Sequence, residues 1–162
     1  PRLDQSSTFS AISELQMFME YFPASKRKTE AQQMIFELQD KLVMKDYLTA
    51  KLYYDLGTYT GNASYTADMR INGNNFLACI TTAQNALKDY PYTSMREDIS
   101  MLLLRAKHKL GSESVLEKKE ERMRETIDEY YAFKNEFPES KYMKEVEAIY
   151  KDASKYVKEL NE

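Results

Sequence analysis

The chain is poor in the residues that staple or break a fold. It has one cysteine, Cys79, so no internal disulfide framework exists, and a single thiol says little about redox compartment. Four glycines and four prolines in 162 residues are too few for a many-turned β fold and suit long helices. No apolar run approaches the roughly 18 residues that a bilayer crossing needs. Charge of one sign is also lacking: a net charge of −3 offers no basic surface to track a phosphate backbone, which argues against nucleic acid. Gly57, Gly61 and Gly73 lack the spacing of a phosphate-binding loop. His108 is the only histidine, so a metal site of several nitrogen or thiolate ligands has no second member. These absences imply no cofactor, no metal and no enzyme.

What is present is helical. Hydrophobic residues make up 43% and charged residues 30%, the balance of an ordinary folded domain. One short phrase occurs three times: Phe22-Pro23-Ala24-Ser25, Tyr90-Pro91-Tyr92-Thr93 and Phe137-Pro138-Glu139-Ser140. Proline lacks the amide donor and its ring clashes with the preceding turn, so it stops a helix, and the aromatic before it is pushed out of the helical region. The hydroxyl two residues later can accept a bond from a free amide of the next helix. A helix–stop–helix phrase used three times signals a repeat protein.

Between the stops the apolar residues fall at helical spacing. Phe9, Ile12, Leu15, Met19 and Phe22 form one stripe, and Ala31, Met34, Ile35, Leu38 and Leu42 a second that continues through Leu48, Leu52 and Leu56 to a stop at Gly57. The spacing allows residues 26–56 to be one bent helix or two. Thr58–Asn75, rich in Gly, Asn, Thr and Ser, reads as a long loop or insertion. Helical spacing resumes at Phe76, Ile80, Ala83 and Leu87. Ser94-Met95-Arg96-Glu97 has the pattern of a capping box opening a helix that Gly111 ends. The charged run 117–125 suits the exposed start of a further helix, and Tyr142, Val146, Ile149, Ala153 and Leu160 mark the last.

Pro23 to Pro91 spans 68 residues, twice the tetratricopeptide period of about 34, and Pro91 to Pro138 spans 47, one period plus an extension. The same pattern asks for a small residue and a bulky one upstream of each proline, because a small side chain lets two helices approach closely. Ala11 and Leu15, Cys79 and Ala83, and Thr126 and Tyr130 occupy those slots, so the small residue is present three times and the bulky one twice. Cys79 is thereby a buried structural thiol, and His108 an exposed polar residue between two lysines. The fold class expected is all-α, a tetratricopeptide-like antiparallel helix-pair solenoid, in one domain over residues 1–162 with an irregular insertion near 58–75.

Several stretches say more than a generic repeat does. Leu38-Gln39-Asp40-Lys41-Leu42, the run from Ala50 through Tyr53-Tyr54-Asp55-Leu56-Gly57-Thr58-Tyr59, the run Ala83 through Thr93, and Asp128–Phe133 through Phe137-Pro138-Glu139-Ser140-Lys141-Tyr142 resemble the outer-membrane assembly lipoprotein family BamD, with phrasing closest to its Bacteroidetes-type members. The resemblance implies a non-catalytic adaptor on the periplasmic face of the outer membrane, lipid-anchored in the full-length protein. It also implies docking to a BamA-like barrel assembly protein and contact with unfolded outer-membrane protein segments. Two departures stand out: the lipidated cysteine and the first repeats are missing, so the chain reads as a C-terminal part of a longer array, and Asn62–Asn75 is longer than the family pattern. Tyr53, Tyr54 and Tyr59 are the expected partner-binding residues, since tyrosine supplies flat contact area with a polar edge. The alternative is a tetratricopeptide adaptor with another envelope or cytosolic partner.

Overall fold

The structure, a computed structural model, describes residues 3–58 and 74–159. Among them are six helices and no strand: α1 Ser6–Tyr21, α2 Lys28–Leu56, α3 Asn75–Asp89, α4 Arg96–Ser112, α5 Leu116–Glu136 and α6 Met143–Glu159. Each helix packs on the next. In addition α2 touches α4 and α4 touches α6, so the second helices of three pairs form a continuous row with the first helices set between them. This is the helix-pair solenoid that the repeated phrase called for.

The three proline turns are copies of one another. Phe22, Tyr90 and Phe137 share φ near −128° and ψ near 63°, outside the helical region (−126°/60°, −129°/67° and −128°/62°). Each gives its amide to the carbonyl four residues back, on Phe18, Ala86 and Phe133, which closes the helix before the proline. The hydroxyl of the phrase then accepts from the amide two residues on: Arg27 to Ser25 at 3.2 Å, Met95 to Thr93 at 3.2 Å, Tyr142 to Ser140 at 3.0 Å. A local chemistry of three residues therefore stops one helix and starts the next, three times over.

The core has two parts that share α4. Ile99, Leu102, Leu103 and Ala106 meet Val43 and Ala50 of α2 and Cys79, Ala83 and Ala86 of α3. On the other side Met101 and Leu104 meet Tyr130 and Phe133 of α5 and Val146 and Ile149 of α6. Buried from Ile99 to Leu104 without a break, α4 is apolar nearly all round, as a helix enclosed by neighbours must be. Of the residues in the small-and-bulky slots, Cys79, Ala83, Thr126 and Tyr130 are buried, whereas Ala11 and Leu15 on the outermost helix are half-buried.

Of the two arrangements that the spacing allowed over 26–56, the structure shows one helix, which no glycine or proline interrupts. Between Pro23 and Pro91 the described residues hold two helices, α2 and α3. The capping box does not form: Ser94 Oγ donates to Asp40 and Glu97 Oε1 accepts from Ser140, so neither side chain turns back on α4. Gly111 does not end α4; it is buried inside the helix, where a Cβ would stand 3.1 Å from Met123 Sδ. Gly57 does end α2, at φ 53°, and its amide bonds the carbonyls of Tyr53 and Tyr54 at 3.1 Å. Phe9, Met34 and Leu52, members of the apolar stripes, are exposed. The insertion expected near 58–75 lies, over 59–73, outside the described residues; Asn74 caps α3 through its side-chain oxygen, at 2.9 Å from the Phe76 amide.

Candidate partner-binding cleft

A cleft follows from the length of α2. The turn before α6 is held by Glu97 and Asp98, in the first turn of α4. The corresponding turn before α4 is held by Asp40, about three helical turns, or 18 Å, into α2. Helix α2 therefore begins well before the residue that holds this turn. Between α1, the first half of α2 and the Tyr90–Ser94 turn lies a space of about 940 Å³. Met19, Ile35, Phe36, Tyr90, Pro91 and Tyr92 supply apolar walls, Gln16, Gln32 and Gln39 supply amides, and Glu20, Lys28, Asp40 and Asp89 supply charge.

Asp40 is the fixed point. Its carboxylate accepts from Thr93 Oγ1 and Ser94 Oγ at 2.6 Å each, and from the Ser94 amide at 3.2 Å. Burial opposes ionisation, but the two hydroxyls and the amide outweigh it and hold the carboxyl below its ordinary range. Burial also pushes the Tyr90 phenol up, with Asp46 and Asp89 adding to it, so the phenol stays protonated and able to donate. Tyr92 is 88% exposed and Phe36 42%, large rings without cover.

The tyrosines singled out in the sequence lie elsewhere. Tyr53 and Tyr54 are in the last turn of α2, at the end away from the cleft; both are half-buried and pack against the α2–α3–α4 core. The Tyr54 ring meets Phe76 edge-on at 5.7 Å. Tyr59 lies outside the described residues. Cys79 is fully buried in the same core, and burial pushes its thiol up to about 12, far from a nucleophile's range. His108 is not simply solvated: its Nε2 stands 2.9 Å from Asp152 Oδ2, tying α4 to α6. Among the described residues no group of three or more His, Cys, Asp and Glu is placed to hold a metal ion, and no helix is long and apolar enough to cross a membrane.

Helices α4, α5 and α6 are tied together by ion pairs. Arg96 pairs with Glu136, Arg105 with Glu145 at 2.6 Å, Lys107 with Glu129 at 2.6 Å and Lys134 with Glu147 at 2.7 Å. These bonds join α4 to α5, α4 to α6 and α5 to α6. Sequence spacing gave no sign of the cleft beyond the uninterrupted run from 28 to 56.

Six helices stacked in pairs, with a cleft at one end, define a helical-repeat solenoid. Residues 2–72 match a family described as outer membrane lipoprotein (YfiO). The matched stretch takes in α1 and α2, two of the three walls of the cleft, and stops before α3. No curated protein matches the chain.

Proposed function

We propose that the chain is a non-catalytic scaffold of the machinery that assembles outer-membrane β-barrel proteins, of the BamD kind and closest to the Bacteroidetes type. The observation that carries this is the match of residues 2–72 to the outer membrane lipoprotein family, on a helix-pair solenoid. In this reading residues 1–162 are one helical-repeat domain at the periplasmic face of the outer membrane, reached through a lipid anchor on the full-length protein. Its partners are a BamA-like barrel assembly protein and unfolded outer-membrane protein segments. Tyr53, Tyr54 and Tyr59 belong to the proposal as partner contacts; half-buried Tyr53 and Tyr54 keep part of their rings accessible.

Chemistry favours a scaffold over an enzyme. Cys79 is un-ionised inside the core, and His108 serves a bridge between helices. The test is recovery of the tagged full-length protein from solubilised cell envelope. A BamA-like barrel protein should co-purify; its absence would overturn the assembly role. A second reading, a tetratricopeptide adaptor with another partner, draws on α3 to α6 lying beyond the matched stretch, and recovery of a different partner would establish it.

A further inference from the structure

We propose that the cleft over the first half of α2 receives a polypeptide segment from a partner protein, one that carries apolar anchor side chains with lysine or arginine beside them. This rests on the adaptor reading only in taking the partner to be a protein.

The apolar half of the claim comes from the walls. A space of about 940 Å³ lies at the upper end of ordinary ligand sites, too large for a single side chain to fill. Phe36 and Tyr92 stand open on two sides of it, on a helix and on a turn that are each fixed in place. Rigid aromatic rings offer large contact area at little entropic cost. The amides of Gln32 and Gln39 both donate and accept, which matches the backbone of a bound segment.

The basic half comes from charge. Three carboxylates, Glu20, Asp40 and Asp89, line the cleft against one cation, Lys28. The hydroxyls of Thr93 and Ser94 keep Asp40 in place, and they bring no positive charge. Elsewhere Glu129, Glu136, Glu145 and Glu147 reach between helices to cations, while Glu97, the counterpart of Asp40, accepts from the Ser140 hydroxyl. Among the described residues no Lys or Arg forms an ion pair with Glu20, Asp40 or Asp89. Uncompensated acid is thus gathered where the apolar walls are open. A lysine or arginine arriving there makes a charge-assisted contact, while an acidic or phosphate-bearing ligand is repelled.

The test uses the full chain and two short fluorescent peptides, one of Leu, Phe, Ala and Lys, the other with Glu at every Lys position. Binding is followed by anisotropy at low and high salt. The Lys peptide should bind at least about tenfold more tightly than the Glu peptide, a preference that shrinks as salt rises. The double variant Glu20→Lys/Asp89→Lys alters two exposed side chains outside the core, and circular dichroism verifies its fold; it should reverse the preference. Phe36→Ala should weaken the Lys peptide severalfold. Failure of the Lys peptide to bind, equal binding of the two peptides, or a preference untouched by the double variant would each overturn the proposal. The adaptor role is read separately in the envelope pull-down: a barrel partner recovered without peptide selectivity removes the cleft chemistry alone, and selectivity without a barrel partner removes the assembly role alone.

Discussion

Asp40 accepts a 2.6 Å hydrogen bond from the hydroxyl of Thr93, the same hydroxyl that receives the Met95 amide at the start of α4. The arrangement recurs one unit later, where Glu97 accepts at 2.5 Å from Ser140, which receives the Tyr142 amide. One side chain thus closes a turn, and its proton ties that turn to the second helix of the preceding pair. The proline phrase is a joint between units as well as a stop.

Removing the joint should loosen the unit boundary. Asp40→Ala deletes an ionised acceptor that serves two hydroxyls and an amide, a loss of about 1 to 2 kcal/mol after allowance for its partial exposure. Thr93→Val should cost less, and the double variant less than the sum of the two. Urea unfolding gives all three values. Strict additivity would show that the bond contributes nothing.

Acid should weaken the same boundaries. Asp98 is held below its ordinary 3.8 by the Tyr142 hydroxyl, against some burial and helped by Lys141. Glu145 is held below 4.5 by Arg105, and Asp40 lies low despite burial. A carboxyl depressed in the folded state contributes stability that is fully present above its unfolded value and lost as pH falls through its folded one. The urea midpoint should therefore hold near neutrality and drop below about pH 4, less steeply in Asp98→Asn. A midpoint that rises on acidification would contradict the geometry.

Cys79 should be inert while the chain is folded. Its thiol lies in the core and is pushed up to about 12, chiefly by burial. Alkylation should be slow at pH 7 to 9 and become fast on addition of denaturant. Cys79→Leu should cost about 1 to 3 kcal/mol by overpacking where α3 approaches its neighbours. Rapid alkylation of folded protein would place the thiol at the surface.

The two buried glycines should respond differently to alanine. Gly57 has φ 53°, where a Cβ is strained, and the Cβ would also sit 3.1 Å from the Phe76 ring. Gly57→Ala should cost about 1 to 2 kcal/mol. Gly111 is helical, and its added Cβ would meet the flexible Met123 side chain, so helix propensity offsets crowding. Gly111→Ala should change stability by less than about 1 kcal/mol. Equal losses at both sites would remove the backbone argument for Gly57.

Much of this scaffold was legible because its punctuation is local. Proline, the aromatic before it and the hydroxyl after it act within five residues, so three turns could be read from three phrases. The continuity of α2 was also on the page, in the absence of any glycine or proline from 28 to 56, but periodicity alone did not force it. Faces were harder to read. Phe9, Met34 and Leu52 keep helical spacing, yet spacing reports amphipathicity and not which face a neighbour covers. The joints were invisible for another reason: Asp40 and Thr93, Arg105 and Glu145, and His108 and Asp152 are at least 40 residues apart, and no local rule links them. The cleft depends on one such joint falling midway along α2, so it appears only once the helices are packed.

Stability should also be graded along the solenoid, lowest at α1. In α1 the buried residue is Thr8, and its apolar stripe has Phe9 and Phe22 in solvent. In α4, Ile99 through Leu104 are enclosed by helices on both sides. In a helical repeat each unit is stabilised by its own packing and by its immediate neighbours, so a helix with one covered face opens first. Amide exchange should begin in α1, proceed to the first half of α2, and reach α4 only with global unfolding. A peptide bound in the cleft touches α1 and α2 together, so it should slow exchange in those two helices and leave α5 and α6 unchanged. Exchange in α1 as slow as in α4 would mean that the exposed aromatic face is covered in solution.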